Sequence, residues 1–213
     1  MGMFCSFTGL TQDGEYTFTI TDATCSVTIR QSLEPAVIPP TPTIDAFTNV
    51  TCFNAADGTI SVSVLTNGFD PYTFQITDMD GTPIVINPTS STATSAEFTA
   101  LANTVGAGYT ITVTGTNSCA TTITQTITQP VAALAVAAPA ITEFDCTTGN
   151  TTNYATIDLT GLVTGGSGNY VRYVFVNTDT ATTVQDGTNS QYIETNLAGG
   201  NYSITVYDDM GCA

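Results

Sequence analysis

Gly108–Cys119 reads GYTITVTGTNSC, in which apolar and hydroxyl-bearing side chains alternate before a short polar turn and a cysteine. Two other segments have the same form. Glu15–Cys25 reads EYTFTITDATC, and Asn201–Cys212 reads NYSITVYDDMGC. Alternation with a period of two, carried by β-branched and aromatic residues, indicates a half-buried β-strand. The sequence therefore predicts the same inward-facing strand three times, each followed by a cysteine.

The cysteines recur at a regular distance along the chain. Cys25 and Cys119 are 94 residues apart, and so are Cys52 and Cys146. Agreement between independent offsets indicates a tandem array with a period of about 94 residues.

Pairing of Cys52 with Cys119, and of Cys146 with Cys212, would give one disulfide per repeat. Cys5 and Cys25 either form a further, off-pattern bridge or stay unpaired. Disulfides favour an oxidising compartment outside the cytoplasm. Single cysteines in a chain without histidine disfavour a zinc site.

Further alternating runs and turn residues give about seven short strands per repeat and no convincing helix. Examples are the run from Ile60 to Val64 and the turn Asp57-Gly58. Seven short strands in about 94 residues are typical of an immunoglobulin-like sandwich. We therefore predict an all-β chain of tandem immunoglobulin-like repeats, each with one disulfide.

The repeat period also predicts the domain organisation. We expect residues 1–35 to be the closing strands of a preceding incomplete repeat. Residues 36–130 should be a full repeat, and residues 131–213 a repeat without its last strand. Proline-rich linkers between them favour a semi-rigid rod. These boundaries suggest a segment of a longer array; alternatively, the N-terminal strands complete the C-terminal domain of another copy.

The charge excludes several classes of partner. The formal net charge is −16, only 9% of residues are charged, and Arg30 and Arg172 are the only basic residues. Without a cationic patch, nucleic acid and anionic membrane surfaces are disfavoured as partners. No apolar run is long enough to predict membrane insertion.

Catalysis and cofactor binding are also disfavoured. A chain without His or Lys cannot form Ser-His-Asp or Cys-His devices, so we expect no enzyme and no cofactor. Asp78 and Asp80 resemble the start of a calcium loop, but Thr89 stands where its bidentate glutamate belongs. Stabilisation of turns is the ordinary interpretation of these acids, and calcium binding is the alternative.

The exposure of the aromatic residues distinguishes a ligand-binding domain from a spacer. Tyr16, Tyr109 and Tyr202 each open the repeated strand, as expected for a core or corner tyrosine whose hydroxyl bonds to backbone; sugar stacking is the alternative. A ligand-binding domain should expose a cluster of aromatic rings on one face. A spacer should instead bury five residues: Tyr72, Phe74, Tyr109, Tyr173 and Phe175.

Several segments resemble a known repeat. They are Val50–Phe53 (VTCF), Ala56–Ile60 (ADGTI), Asp70–Phe74 (DPYTF), and the closing segments Gly108–Cys119 and Leu197–Cys212. Together they resemble the SprB-type repeat of large surface adhesins in gliding Bacteroidota, and the resemblance covers nearly the whole chain. There are departures, because no Trp follows the tyrosine of the third strand, and Gly115 stands where Asp22 and Asp208 occur.

The resemblance implies secretion by the type IX route, display on the cell surface, and a role in adhesion or gliding. It implies neighbouring repeats, surface polysaccharide or other cells as partners. It also raises interest in Asp179-Thr180-Ala181, which fits an O-glycosylation acceptor pattern of Bacteroidota with Thr180 as the acceptor. Our hypothesis is a disulfide-locked adhesive stalk. The alternatives are a carbohydrate-binding or spacer module of a secreted enzyme, and a strand-exchanged filament subunit.

Overall fold

The computed structural model describes residues 6–10, 14–33, 38–65, 69–78, 84–104, 106–145 and 153–213. Within these ranges every regular element is a β-strand, which confirms the all-β prediction. The same ranges contain no helix with the length and apolar character needed to cross a membrane.

The strands form three groups along the chain. The hairpin comprises β1 (Gly14–Thr21) and β2 (Ser26–Leu33). The first unit, between residues 38 and 130, contains β3 (Thr41–Thr48), β4 (Gly58–Leu65), β5 (Thr73–Asp78), β6 (Ile84–Ile86), β7 (Ser90–Ser91), β8 (Ser95–Leu101), β9 (Tyr109–Thr114) and β10 (Ala120–Gln125). The second unit, between residues 131 and 213, contains β11 (Ala135–Val136), β12 (Ala140–Thr142), β13 (Ala155–Asp158), β14 (Val163–Thr164), β15 (Tyr170–Asn177), β16 (Thr182–Gly187), β17 (Gln191–Glu194) and β18 (Tyr202–Asp208).

The first unit is a sandwich of two four-stranded antiparallel sheets. Their strand orders are β3-β4-β8-β7 and β10-β9-β5-β6. Along β4 and β9 every second side chain is buried, as the period of two predicts. Ile60 and Phe98 of one sheet and Ile111 of the other are fully buried in one common core. The arrangement matches the two-sheet order of an immunoglobulin-like sandwich.

The second unit repeats most of this order, with shorter strands in one of its two corresponding sheets. Its sheets are β12-β13-β17, β16-β15-β18 and the short pair β11-β14. The first two correspond to β3-β4-β8 and to β6-β5-β9 of the first unit. Its buried core is smaller and consists of Leu159, Val163, Tyr173, Phe175 and Val206. Among the described residues, no strand takes the place beside β18 that β10 takes beside β9.

The hairpin forms a separate two-stranded sheet. β1 and β2 pair in an unbroken antiparallel register from Gly14 opposite Leu33 to Thr21 opposite Ser26. One face carries the apolar residues, of which Ile20, Val27 and Ile29 are 66%, 62% and 56% exposed. The hairpin therefore presents an apolar face that neither unit covers.

The predicted disulfide pairing is wrong. Cys52 is bonded to Cys212, so the bridge joins the first unit to the second and spans 160 residues of sequence. Cys119 is a free thiol, and so is Cys25. A bridge within each repeat, from Cys52 to Cys119 or from Cys146 to Cys212, is therefore contradicted. Cys5 and Cys146 themselves lie outside the described residues.

The physical reason is that Cys52 and Cys119 lie at opposite ends of the first unit. The loop of Cys52 is held at the far end of the last strand, where the Val50 amide donates to the Thr128 carbonyl (2.9 Å). Cys119 stands just before β10, nine residues earlier. Nine extended residues span about 30 Å. Cysteines with Cα atoms more than about 7 Å apart cannot be bridged without movement of the backbone.

Candidate functional site

The three repeated segments end in similar closed loops, of which the first is one residue shorter than the other two. In each, an amide before the turn donates to the carbonyl of the cysteine: Asp22 to Cys25 (2.9 Å), Gly115 to Cys119 (2.9 Å) and Asp208 to Cys212 (3.0 Å). The repeated line of sequence therefore encodes a strand followed by a loop that holds a cysteine in a fixed place.

In each loop a side-chain oxygen also accepts a hydrogen bond from the backbone amide of the cysteine. The amides of Cys25 and Cys212 donate to the carboxylates of Asp22 (2.7 Å) and Asp208 (2.8 Å). In the middle segment, where glycine replaces this aspartate, the Cys119 amide donates to the Asn117 Oδ1 (3.1 Å). The bonds from the amides of Thr24 and Cys25 lower the pKa of Asp22, because they stabilise the carboxylate.

Asp208 ties the Cys212 loop to the rest of the second unit. Its side chain is 2% exposed. One carboxylate oxygen accepts from the Met210 and Cys212 amides, and the other accepts from the Ser167 amide (2.9 Å). Asp209 accepts from the Ser167 hydroxyl and the Asn169 side chain, which lowers its pKa. Asp208 and Asp209 therefore stabilise the turns at this end of the second unit.

The linker between the units packs closely against this turn. The Gly166 amide donates to the Ala132 carbonyl (3.0 Å). A Cβ on Gly165 would lie 1.9 Å from the Ala133 carbonyl oxygen, and the φ of Gly165 is +75°. Glycine is therefore required there by both space and conformation. The entry end of the second unit, with Cys212, thus lies beside the chain that leaves the first unit.

The loop of Cys52 is equally well held on the other side of the junction. The Asp57 carboxylate accepts from both the amide and the hydroxyl of Thr51. These bonds lower the pKa of Asp57, with the hydroxyl as the larger cause. The Asn54 amide donates to the Gln129 side chain (2.7 Å) at the end of the first unit. Both cysteines of the bridge are therefore presented by hydrogen-bonded loops.

Buried aromatic rings agree with the spacer interpretation. All five of the aromatic residues singled out from the sequence are buried, with 0% to 8% exposure: Tyr72, Phe74, Tyr109, Tyr173 and Phe175. Tyr109 is a corner tyrosine, because its hydroxyl donates to the Ala102 carbonyl (3.2 Å). The corresponding Tyr202 donates to the carboxylate of Glu194 instead. Tyr16 is half-buried on the hairpin.

Glu194 forms a buried polar cluster that sequence reasoning missed. Its carboxylate is 9% exposed and accepts from the hydroxyls of Tyr202 and Tyr192 and from the Asn196 amide (2.6 Å). The Tyr202 bond is the main cause that lowers the pKa of Glu194. Burial, then the bond to Glu194, raises the pKa of both tyrosines. The only signal in the sequence is the spacing of two, which puts Tyr192 and Glu194 on one face of β17.

A cavity of about 290 Å³ opens beside this cluster. Ala155, Ile157, Glu194, Gly200, Tyr202 and Ile204 are among its lining residues. The corresponding space in the first unit is filled by Ile127, which is fully buried and lies so close to Gly58 that a Cβ there would be 2.8 Å from it. The cavity is thus the place that the last strand fills in the first unit.

The remaining predicted site residues are Asp78, Asp80 and Thr180. Asp78 is the last residue of β5, and Asp80 lies outside the described residues. In the part of the chain that the structure describes, no three acidic, cysteine or histidine side chains form a group that could hold a metal ion. Thr180 lies exposed in the turn between β15 and β16, where its amide donates to Asn177 (3.2 Å).

Comparison with known proteins bears on the loop of Cys52, β4 and β5, because these elements fall within one matched segment. Residues 44–81 match the family model of the SprB repeat. This match confirms the resemblance to the SprB repeat that the sequence suggested. The SprB repeat is a structural repeat of cell-surface proteins and is not an enzyme family. No curated protein matches the chain.

Proposed function

We propose that the chain is a stalk module of a secreted cell-surface adhesin, which carries load between the cell and its target in adhesion or gliding. The observation that carries this proposal is the Cys52–Cys212 bridge between the two units. A covalent link across a junction resists separation of neighbouring units. The buried aromatic residues favour a spacer over a sugar-binding face.

The bridge changes how such a stalk would extend under force. Tension applied at the two ends passes through the disulfide, so the residues between Cys52 and Cys212 carry no load. A separation of 160 residues corresponds to about 540 Å of extended chain at about 3.4 Å per residue. The oxidised stalk therefore withholds this length from extension.

Single-molecule pulling on the chain tests the proposal. We expect reduction to add about 540 Å to the contour length released on unfolding. Cys119→Ser is the matched control, because it removes a free thiol and leaves the bridge intact. Equal contour lengths before and after reduction would contradict the stalk mechanism. Labelling of intact cells by an antibody against the chain tests the surface location, and labelling only after lysis would contradict it.

Neighbouring repeats are the partners that the bridge implies. Cys119 occupies the same closing loop as Cys212, and both loops lie beside an incoming linker. Asn117 donates to the Ile38 carbonyl (3.0 Å), as Gly166 donates to that of Ala132. In a longer array, Cys119 would therefore bond to the Cys52 counterpart of the repeat before it. Non-reducing peptide mapping of protein from its natural source should find that link, and a free Cys119 there would contradict it.

A further inference from the structure

β3 leads directly to the bridge between the two units. It is an edge strand, at one end of the order β3-β4-β8-β7, and it pairs with β4 along its length. The strand ends at Thr48, and four residues later Cys52 is bonded to Cys212. A force that enters the chain ahead of β3 therefore reaches the disulfide along this one strand.

The path from β3 to the bridge has little length to give. A β-strand already rises about 3.2–3.4 Å per residue, and a fully extended chain reaches at most about 3.6 Å per residue. Slack comes from the bulge at Asp45 and from the loop of residues 49–52, which together have a full length of about 18 Å. Stretching the strand and straightening this loop therefore lengthens the path by less than about 20 Å.

The loop that carries the force is anchored to the first unit. The Val50 amide donates to the Thr128 carbonyl (2.9 Å), and the Thr51 amide donates to the Asp57 carboxylate (3.0 Å). These bonds keep the loop in place on the sandwich. They are not in series with the force, because the force leaves the loop through the sulfur of Cys52.

Without the bridge, the same force would have to cross each sandwich. Beyond Cys52 the chain runs through β4 to β10 and leaves the first unit after Thr128, so tension would pull β3 away from the strands that follow it. With the bridge, the two ends of β3 are pulled in opposite directions along its own axis. The rest of the sandwich then receives no net force.

We propose that β3, residues 49–52 and the Cys52–Cys212 bridge form a tension strap that keeps both units folded under load. Force enters β3, crosses the bridge and leaves at Cys212, so neither buried core is in series with it. The inference rests on the load-bearing role proposed above and assigns the load to a particular strand. It goes beyond limited extension, because a bridged chain stays short even when its units unfold.

Force-clamp spectroscopy with a reductant separates these two states. The 213-residue chain is held by its two ends at a force that unfolds the reduced units within seconds, and dithiothreitol is then added. We expect reduction of the bridge to be followed by a delay and then by separate unfolding steps, which together add about 540 Å. Units that had already unfolded under load would release the same length at the moment of reduction. The hairpin opens earlier and serves as a reference in every trace.

A mild core variant calibrates the delay. Ile127→Val weakens the first unit without emptying its core, so one of the two unfolding steps should come at least twofold sooner after reduction. Before reduction, its trace should match that of the parent chain. Ile193→Val is the matched control, because its side chain is 51% exposed, and it should leave the delay unchanged.

Three results would overturn the tension strap. Release of the full length at the moment of reduction overturns it and leaves the bridge-limited extension of the stalk intact. A gain well above 20 Å in the oxidised chain after the hairpin has opened also overturns it, because the force would then bypass Cys52. Cys52→Ser cannot form the strap and should show the unfolding steps before any reductant is added; steps in this variant that still require reductant are the third.

Discussion

The two units place the same tyrosine-led strand in different surroundings. β9 lies between two strands, its Tyr109 hydroxyl bonds to a backbone carbonyl, and Ile127 closes the core beside it. β18 has one neighbouring strand among the described residues, its Tyr202 hydroxyl bonds to the carboxylate of Glu194, and a cavity replaces the isoleucine. The comparison teaches that the same tyrosine at the start of this strand can be anchored by a backbone carbonyl or by a buried carboxylate, according to what packs beside it.

The largest expected effect concerns the bridge itself. Cys212→Ser should lower the free energy of unfolding of the second unit by about 2–5 kcal/mol, because loss of a native disulfide frees the unfolded chain. Hydrogen exchange followed by mass spectrometry resolves the two units. We expect faster exchange in β15 and β18 and little change in β4 and β9. The free-thiol variant Cys119→Ser should leave both units unchanged, and equal effects of the two variants would refute the dependence of the second unit on the bridge.

A second prediction makes the first unit resemble the second. Ile127→Ala opens a cavity beside Gly58 and should cost about 2–4 kcal/mol in the free energy of unfolding of the first unit. Denaturant unfolding measures this cost. The control is Ile193→Ala, at a side chain that is 51% exposed, which should cost well under half as much. Similar costs for the two variants would show that Ile127 does not close the core.

The third prediction is a pH dependence that the Glu194 cluster gives to the second unit. The folded pKa of Glu194 is lowered, so its contribution to stability is present above the ordinary glutamate pKa and is lost as the pH falls through the lowered value. Acidification should therefore destabilise the second unit by about 1.5–3 kcal/mol, the range for hydrogen bonds to charged groups. In the first unit the equivalent hydroxyl, that of Tyr109, donates to the Ala102 carbonyl, which does not titrate.

Glu194→Gln separates this cluster from general acid effects. The amide keeps an acceptor for Tyr202 but does not titrate, so the acid sensitivity of exchange in β17 and β18 should decrease. An acid profile in the variant that matches the parent chain would assign the sensitivity to other carboxylates.

The smallest expected effect is at the surface of the second unit. Arg172 donates two 2.7 Å bonds to Asp186 and lies over the Tyr207 ring, and the hydrogen bond to Arg172 lowers the pKa of Asp186. Both side chains are about half exposed, at 49% and 44%. Exposed ion pairs contribute little and are screened by salt. Arg172→Ala should leave the thermal midpoint unchanged at physiological salt, and a large decrease there would mean that this pair helps to hold the smaller core.

Much of the fold could be predicted from particular residues. The alternation in Tyr109–Val113 predicts a strand with buried Tyr109, Ile111 and Val113, and all three are buried. The predicted turn Asp57-Gly58 lies between β3 and β4, at the point where β4 begins. The role of Glu194 could not be predicted, because its partner Tyr202 lies on another strand in the facing sheet. The cavity could not be predicted either, because it lies where no described strand packs beside β18.

The sequence by itself determined the strands, their buried faces and the recurrence of a cysteine-closed loop. These features follow from a local rule: successive side chains of a strand point to opposite faces, so the pattern of apolar residues is sufficient. Only the tertiary structure decided which cysteines meet. Disulfide formation depends on the distance between strand ends in space, and the two ends of one sandwich are about 30 Å apart, whereas facing ends of adjacent units come within 5.7 Å between the Cα atoms of Cys52 and Cys212.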